Sequence, residues 1–394
     1  MSTLRVIVNA IPTLHINTGI GRYIRCLYQA LERQYGPDLS VGYFDGAVAH
    51  PRIPEKNEDI ASWSQLVDLL WKLPPRLGFL VRLVMHLRRE RVFRRVSRDF
   101  DLYHETSFFP FASRPGLPVV FTVHDMSLMR HPDWHPRERV HFYNHLFPRR
   151  IGNVRRYITV SDFTRRELEA SVPRAHGLAT VTHLAHDPAI FHPRPADEIH
   201  ALRRRHGLSG PYFLFVGSGD PRKNAAIIPK ALELSGLDIP LALVGWGGWN
   251  EATAAAETSG TSGNAAPPTR ASGRGPIPLG YVSDQDLAGL YSGALVLIFP
   301  SLYEGFGLPV LEALACGCPV ITTRRASMPE VAGDAALYLE NPTDPAELAG
   351  LLRRVAEDAA LREDLTRQSL ARAAQFSWEK TARRTWGAFQ EALG

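Results

Sequence analysis

The chain contains little cysteine and no apolar run long enough to cross a membrane. Three cysteines, Cys26, Cys316 and Cys318, occur among 394 residues. They are too few for a disulfide framework, and one isolated Cys-x-Cys pair falls short of a zinc site. The amino terminus lacks the basic segment and apolar core of a signal peptide, and no apolar stretch reaches the length of a bilayer span. We therefore expect a cytoplasmic protein, soluble or peripheral on the inner face of the cytoplasmic membrane, with its cysteines buried in a reducing compartment.

The composition is that of a two-domain globular protein with a basic surface. Hydrophobic residues make up 45% of the sequence, and a chain of this length can build two ordinary hydrophobic cores. Helical and strand patterns alternate along it, which predicts the α/β class. The formal net charge is +5, which suggests an anionic ligand or membrane surface without indicating nucleic acid.

The most informative segment, 299–323, carries Glu304 and Glu312. Its pattern predicts a strand, a loop, a helix, a turn and a second strand. Pro309 suits the first turn of the helix, and Gly317 suits the position just past its last turn. In an open α/β sheet, ligands bind at the carboxyl ends of the strands. We expect Glu304 in a loop at such an end and Glu312 on the helix, where carboxylates can hold sugar hydroxyls while helix amides face a phosphate.

Two strand–helix series, joined by a proline-rich stretch, account for the rest of the chain. The first series has Gly19 and Gly21 at a strand-to-helix turn, where glycine lets a ligand approach the backbone. We predict an N-terminal acceptor-binding Rossmann-like domain over 1–195 and a C-terminal donor-binding one over 208–375. A final helix near 376–394 is predicted to return to the first domain.

A basic and apolar segment spans residues 62–98. Between Arg76 and Arg98 it contains eight arginines and one acidic residue, Glu90, interleaved with leucine, valine and phenylalanine. Such a pattern is typical of an amphipathic helix that lies on an anionic lipid surface. A domain helix with one face in the core and its arginines in water would show the same pattern, so both interpretations stay open.

Together these features resemble the retaining nucleotide-sugar glycosyltransferases of family 4, in the branch typified by bacterial mannosyltransferases. The resemblance covers nearly the whole chain except about 45–100 and a polar insertion at 251–275. The strings that carry it are Gly19-Ile-Gly21-Arg22-Tyr23, Phe121-Thr-Val-His124-Asp125, Thr159-Val-Ser-Asp-Phe-Thr164, Asp220-Pro-Arg-Lys223-Asn224 and Glu304-Gly-Phe-Gly-Leu-Pro-Val-Leu-Glu312, with Trp378-Glu379 near the end. The family fold, called GT-B, implies two facing Rossmann-like domains with a deep cleft between them.

The resemblance also implies roles for individual residues. Lys223, expected at the start of a helix, would neutralise the donor diphosphate. Arg222 is our candidate helper, because Ser218 stands where family members often carry an arginine. Glu304 would reach the transferred sugar, and Glu312 would hold the ribose hydroxyls.

His124 is implied to lie near the sugar on the acceptor side, so that His124, Lys223 and Glu304 form the expected catalytic set. Further donor contacts are implied for Gly19, Gly21, Phe306, Gly307 and Leu308. No metal ion and no cofactor besides the donor substrate are expected, since a lysine and free helix amides can bind a phosphate unaided.

The implied reaction transfers a hexose to an acceptor hydroxyl with retention of the anomeric configuration. Because Glu312 is assigned to ribose, we expect a same-face substitution rather than a double displacement by two carboxylates. By resemblance, the Pro-Arg-Lys-Asn string favours GDP-mannose or a GDP-deoxyhexose, with UDP- and dTDP-sugars as alternatives. The expected acceptor is a saccharide or lipid-linked saccharide of surface polysaccharide or lipopolysaccharide synthesis.

Two other classes of protein stay open. A dinucleotide-dependent oxidoreductase would need Gly-x-Gly-x-x-Gly at a strand-to-helix turn, whereas Ile24 occupies the position of the third glycine after Gly19 and Gly21. A non-catalytic sugar-nucleotide-binding protein is the second, and unchanged transfer activity in Glu304→Ala would favour it.

Overall fold

The computed structural model describes residues 3–14, 19–54, 75–245 and 276–394. The chain divides into two compact units, one formed by Met1–Leu184 with Ser377–Gly394 and the other by Ala185–Phe376. The polar insertion at 251–275 and the first part of the basic segment, 62–74, lie outside the described residues. No helix in the described ranges is long and apolar enough to span a bilayer.

The first unit is built on a largely parallel sheet. Its strands are β1 (Leu4–Asn9), β2 (Leu39–Phe44), β3 (Ala49–His50), β4 (Leu102–Glu105), β5 (Val119–Val123), β6 (Val154–Thr159) and β7 (Ala179–Val181). They pair in the order β3-β2-β1-β4-β5-β6-β7, with only β3 antiparallel to its neighbour. The helices along this part of the chain are α1 (Gly19–Tyr35), α2 (Pro75–Val96), α3 (Ser127–Arg130), α4 (Arg137–Arg150) and α5 (Asp162–Ser171).

The second unit contains a parallel sheet of its own. Its strands are β8 (Phe213–Val216), β9 (Leu241–Val244), β10 (Ile277–Gly280), β11 (Val296–Phe299), β12 (Val320–Thr323) and β13 (Leu337–Leu339), in the order β10-β9-β8-β11-β12-β13. Its helices are α6 (Ala196–Arg205), α7 (Ile227–Ser235), α8 (Asp284–Gly293), α9 (Leu308–Ala315), α10 (Met328–Ala332), α11 (Pro345–Glu357) and α12 (Ala359–Ala373). Both units are thus α/β, and the predicted fold class is confirmed.

Both sheets reverse their winding direction beside their first strand. In the first unit β1 lies between β2 and β4, and in the second β8 lies between β9 and β11. Such a reversal leaves a crevice at the carboxyl ends of the two strands, which is where open α/β sheets bind ligands. On one side of each crevice, β4 and β11 are buried throughout, because helices cover both faces of a parallel sheet.

The last helix, α13 (Trp378–Leu393), belongs to the first unit, as predicted. Ser377 caps it, since its side chain accepts a hydrogen bond from the Lys380 amide. The Trp386 ring stacks on Tyr35 of α1 with centroids 4.6 Å apart, and the Thr381 hydroxyl donates to the His183 carbonyl. The helix is therefore an integral part of the first unit's packing.

The three cysteines are buried and free, as predicted. Burial raises the pKa of Cys316 to about 12, so its thiol stays protonated at neutral pH. A protonated buried thiol behaves as a small hydrophobe, because only the thiolate reacts readily.

Candidate functional site

Lys223, Arg222 and Glu304 come together at the carboxyl edge of the second sheet. The Lys223 ammonium donates to Glu304 Oε1, and Arg222 Nη1 lies 3.8 Å from Glu304 Oε2. Glu304 is only 7% exposed, and Lys223 Nζ also lies 4.7 Å from the centroid of the Phe299 ring. A buried carboxylate needs such partners because desolvation of an unpaired charge is costly. The result is one carboxylate beside two cations at the reversal point of the sheet.

The two loops that carry these charges are tied together through backbone groups. The Arg222 carbonyl accepts from the Leu302 amide at 2.7 Å and from the Ser301 hydroxyl, whose oxygen lies 3.0 Å from it. Ser301 Oγ also lies 2.9 Å from Glu304 Oε1. Asp220 braces the turn from the other side, because its carboxylate accepts from the Arg222 amide and, at 2.9 Å, from Arg222 Nε. These bonds hold the loop after β8 against the loop after β11.

The structure corrects the expectation that Lys223 stands at the start of a helix. Lys223 ends a short 3₁₀ turn, Pro221–Lys223, and α7 begins only at Ile227. The interruption is Asn224, whose φ of 52° is left-handed, a conformation that asparagine tolerates better than most residues. The Asn224 side chain is anchored by donating to the Pro342 carbonyl at 2.7 Å. Lys223 therefore contributes its own charge at this edge, without a helix terminus behind it.

Gly307 shapes the loop that follows Glu304. It immediately precedes α9, and its φ of 102° is in the region that favours glycine. A Cβ at this position would overlap the terminal methyl of Met328. Ser327 Oγ lies 2.9 Å from the Glu304 carbonyl and 2.8 Å from the Phe306 carbonyl, which holds the loop in place. Pro309 occupies the first turn of α9, as predicted.

Glu312 is the fifth residue of α9 and is 2% exposed. Its Oε2 lies 3.5 Å from the Tyr291 hydroxyl of α8. Burial is the largest of the effects that raise the pKa of the neighbouring Cys316, and the Glu312 charge adds to it. Glu312 is thus a second buried carboxylate in this unit, on a helix rather than in a loop.

His124 and the two glycines lie in the first unit. Gly19 opens α1 and Gly21 is buried in its first turn. His124 follows β5, and its Nε2 donates to the Thr106 carbonyl at 3.0 Å, which leaves Nδ1 as the acceptor of the neutral ring. Burial lowers the pKa of His124, so the ring is neutral near pH 7. The Tyr23 ring meets it edge-on with centroids 5.0 Å apart.

A small cavity lies beside the His124 ring. Its volume is about 60 Å³, and its lining includes Ile20, Ser107, Phe108 and Leu128. Phe108 is exposed, so an apolar ring and a hydroxyl both border the cavity. The neutral imidazole therefore adjoins a mixed polar and apolar surface.

The motifs did not single out Glu105, which is fully buried at the end of β4. It accepts hydrogen bonds from Asn9 Nδ2 at 3.0 Å, from the Ser107 amide at 2.6 Å and from the Tyr103 hydroxyl. Burial raises its pKa, while these hydrogen bonds act in the opposite direction. Ser301 and Ser327 were missed in the same way, because a lone serine carries no spacing signal, and Asp220 was quoted only as part of a motif, without a role of its own.

Comparison with known proteins identifies the family of both halves. The family described as Glycosyltransferase Family 4 matches residues 17–183, and the family described as Glycosyl transferases group 1 matches residues 199–372. Each match falls within one of the two units.

Relatives and solved structures agree with this assignment. The O-antigen chain mannosyltransferase B of Escherichia coli is 31% identical over 402 residues, which cover 98% of this chain and all of that protein. The serotype-specific mannosyltransferase WbdA of Escherichia coli is 31% identical over 195 residues, 48% of this chain and 22% of that one.

Two solved structures share the fold. Sucrose-phosphate synthase from Thermosynechococcus elongatus has a TM-score of 0.69 at 19% identity, over 99% of this chain and 98% of that one. HepE from Anabaena, in complex with UDP and glucose, has a TM-score of 0.66 at 17% identity, over 98% of this chain and 99% of that one. The chain therefore belongs to the family 4 glycosyltransferases of the GT-B fold, with bacterial mannosyltransferases among its relatives.

Proposed function

We propose that the protein is a retaining hexosyltransferase that uses a GDP-sugar, GDP-mannose or a GDP-deoxyhexose, as its donor. The acceptor in this proposal is a saccharide or lipid-linked saccharide of surface polysaccharide synthesis. The observation that carries the proposal is the set of Lys223, Arg222 and Glu304 at the carboxyl edge of the second sheet. The mannosyltransferase names of the full-length Escherichia coli relative and of WbdA support the choice of sugar.

Lys223 and Arg222 are proposed to bind the donor diphosphate. An ammonium has three donors, and Lys223 uses one of them on Glu304, so two can face phosphate oxygens. Arg222 adds a guanidinium, which matches phosphate geometry. Negative charge grows on the diphosphate as the glycosidic bond breaks, and cations already in place stabilise that charge most in the transition state. The reaction is proposed to need no metal ion, because these two side chains supply the positive charge.

Glu304 is proposed to accept hydrogen bonds from hydroxyls of the transferred sugar, and Glu312 from the ribose. The Glu304 carboxylate accepts from Lys223, so its orientation is set before the sugar binds. Hydrogen-bonding groups fixed in this way lose little entropy when the ligand arrives. The loop amides of Phe306, Gly307 and Leu308 are assigned to the sugar and phosphate oxygens.

The leaving diphosphate is proposed to take the proton of the acceptor hydroxyl on the face from which it departs. This route retains the anomeric configuration without a covalent glycosyl-enzyme. The first unit is assigned to the acceptor, with Gly19 and Gly21 near the diphosphate. His124 is neutral, and its Nδ1 is proposed to accept from a sugar hydroxyl, which makes His124 a binding rather than a proton-donating group.

A donor screen by thermal shift tests the proposal. GDP-mannose, GDP-fucose, UDP-glucose and dTDP-rhamnose are each added to the whole protein, and a ligand that binds only the native state raises the melting temperature. We expect the GDP-sugars alone to do so, and Lys223→Ala to abolish the shift. Stabilisation by UDP-glucose alone would reject the GDP assignment and would match the ligands of the Anabaena structure.

Turnover separates an enzyme from a binding protein. With a GDP-sugar and an acceptor saccharide, we expect GDP release that is insensitive to EDTA and a product with retained configuration by NMR. A donor that binds without any transfer would favour the non-catalytic alternative, and an inverted product would reject the same-face route.

A further inference from the structure

Helix α2 carries apolar residues on two opposite faces. On the inner face, the Phe79 ring meets Phe142 and His145 of α4, and Phe93 is fully buried against Phe44. A helix of a single domain ordinarily needs only one apolar face, the one that packs on its core. The second face of α2 therefore calls for an explanation.

Four large apolar side chains line that second face. Leu77 is 46% exposed, Leu80 is 53%, Val84 is 49% and Leu87 is 39%. Their spacing of three and four residues places them on one side of the helix, along about 15 Å of its axis. Scattered exposed apolar residues are ordinary, whereas a contiguous line of them marks an interaction site.

Exposed arginines continue the same side of α2 towards its carboxyl end. Arg88, Arg91, Arg94 and Arg95 are exposed, and at 3.6 residues per turn they lie within about 20° of the arc that runs from Leu77 to Leu87. An arginine elsewhere on the helix, Arg82, instead pairs with Glu138 of α4 at 3.0 Å. The outer side of α2 thus has an apolar half followed by a cationic half.

The acidic residue Glu90 does not offset this charge, because it points inward. Its side chain is buried and is bound by Arg150 at 2.8 Å and by His86 at 3.0 Å. Although burial alone would raise its pKa, the hydrogen bonds from His86 and Arg150 lower the pKa of Glu90 to about 2. Glu90 therefore neutralises Arg150 in the interior, and among the described residues it forms no ion pair with the outer arginines.

A cavity with a basic lining adjoins the cationic half. Its volume is about 200 Å³, and its lining includes Arg94, Ser113, Arg149, Arg150 and Asn153. Guanidinium groups bind phosphate through paired N–H donors, and serine and asparagine side chains can add further hydrogen bonds. The cavity thus has the chemistry of a phosphate site beside the exposed arginines.

We propose that the outer side of α2 binds the surface of an anionic lipid bilayer. The apolar half enters the boundary between headgroups and acyl chains, and the arginines contact lipid phosphates, one of them in the adjoining cavity. Amphipathic helices that lie in the interface combine these two features. The proposal does not rest on the transferase reaction, because binding is measured without donor or acceptor.

A second copy of the chain fits this surface less well than a bilayer. In a parallel pair of α2 helices, arginines would face arginines, and in an antiparallel pair they would face leucines. The apolar half, from Leu77 to Leu87, spans only about one and a half heptads, whereas a stable two-helix seam needs three or four. Charge complementarity therefore selects an anionic surface.

Sedimentation of the whole protein with vesicles tests the proposal. We expect binding to phosphatidylglycerol vesicles at 150 mM NaCl, much weaker binding at 500 mM NaCl, and little binding to phosphatidylcholine vesicles, since surface charge attraction is screened by salt. Equal binding to both lipids, or none to either, would overturn the proposal.

Matched variants locate the surface. The triple change Arg88→Gln, Arg91→Gln and Arg95→Gln should weaken binding on the order of 100-fold, given the usual attraction per basic residue. The control changes three exposed arginines elsewhere to glutamine, Arg204, Arg354 and Arg383, and should leave binding within about twofold of the unmodified protein. Arg→Lys at 88, 91 and 95 should restore most of the binding, because the charge is kept.

The apolar half is tested in the same way. Leu80→Ser, Val84→Ser and Leu87→Ser together should weaken binding at least about tenfold, because less apolar surface enters the bilayer. The control is Leu234→Ser with Leu370→Ser, two exposed leucines of the second unit. If the control weakens binding equally, or if light scattering shows a dimer that the apolar triple variant abolishes, the bilayer is not what this surface binds.

Discussion

Each unit buries a glutamate at the carboxyl side of the strand beside its reversal point, yet the two glutamates have opposite surroundings. Glu105 ends β4 and Glu304 follows β11, the strands that lie beside the reversal point in each sheet. Glu105 accepts hydrogen bonds from neutral groups of Asn9, Ser107 and Tyr103. Glu304 instead lies beside the cations of Lys223 and Arg222. Equivalent topology therefore provides an equivalent position, and the neighbouring side chains decide its chemistry.

The difference separates a structural carboxylate from one suited to a charged ligand. The donors on Glu105 are the neutral side chains of Asn9 and Tyr103 and the Ser107 amide, and none of them carries a charge that would attract an anion. Lys223 and Arg222 are long cations on the turn after β8, and their positive charge can attract a phosphate.

Removing the Lys223 charge should have the largest effect. Lys223→Ala is expected to lower the rate of transfer by about 10²–10³-fold, because one preorganised donor to a developing anion contributes that much. The rate is measured as release of the nucleotide diphosphate at a temperature where circular dichroism shows the variant folded. Lys230→Ala, at an exposed lysine paired with Glu233, is the control and should keep full activity. Normal turnover by Lys223→Ala would show that the cation beside Glu304 does not act in the reaction.

Removing the Glu105 carboxylate should cost stability rather than chemistry. Glu105→Ala leaves the buried donors of Asn9 and Tyr103, and the partly buried Ser107 amide, without their acceptor, at an expected cost of about 3 kcal/mol in the free energy of unfolding. Urea unfolding measures this change, and Glu105→Gln should lose less because one carbonyl oxygen is kept. The donor-induced thermal shift should survive in both variants. A stable but inactive Glu105→Ala protein would show that the first unit's carboxylate acts on substrate.

Backbone contact at the second unit's carboxyl edge predicts a difference between two glycines. Gly245 has a φ of 128°, and a Cβ there would overlap the Gly217 carbonyl, whereas Gly236 has a φ of 69° and open space around it. Gly245→Ala should therefore cost about 2 kcal/mol more than Gly236→Ala, whose cost is backbone strain alone. Thermal unfolding of the two variants measures the difference. Equal stabilities would mean that the edge can relax.

Acid should weaken the first unit through its buried histidine. His104 lies between the Tyr28 and Thr122 hydroxyls, and burial lowers its pKa from 6.5 to about 3. As the pH falls below 6.5, His104 is protonated in the unfolded chain but stays neutral in the folded chain. The free energy of unfolding therefore decreases as the pH falls. Between pH 7.5 and 5.5 this loss is about 1.4 kcal/mol. Urea unfolding at both pH values measures the difference in the free energy of unfolding. His104→Gln should reduce that difference by about 1.4 kcal/mol, whereas His141→Gln, at an exposed histidine, should leave it unchanged.

The local signals in the sequence anticipated much of the second unit's site. Pro309 and Gly317 predicted where α9 begins and ends, and the helix runs from Leu308 to Ala315 with Gly317 left-handed beyond it. Proline and glycine act through the preferences of their own backbone, so their effect is visible in the local sequence. Glu304 lies in the loop after β11, as the strand-loop-helix pattern predicted, and Lys223 lies after β8 of the same sheet. Their contact follows from parallel topology, because strand ends of one sheet meet on one side.

Local patterns thus sufficed for the α/β class, the family resemblance and the place of Glu304 after a strand. The surroundings of each buried carboxylate follow from the folded structure. Ser327 meets the loop of Glu304, Asn9 meets Glu105 across 96 positions, and Leu80 faces outward although its pattern fits a buried helix equally well. Periodicity and backbone preference are local properties, whereas partners and exposure depend on residues that are distant in the chain and adjacent only once it has folded.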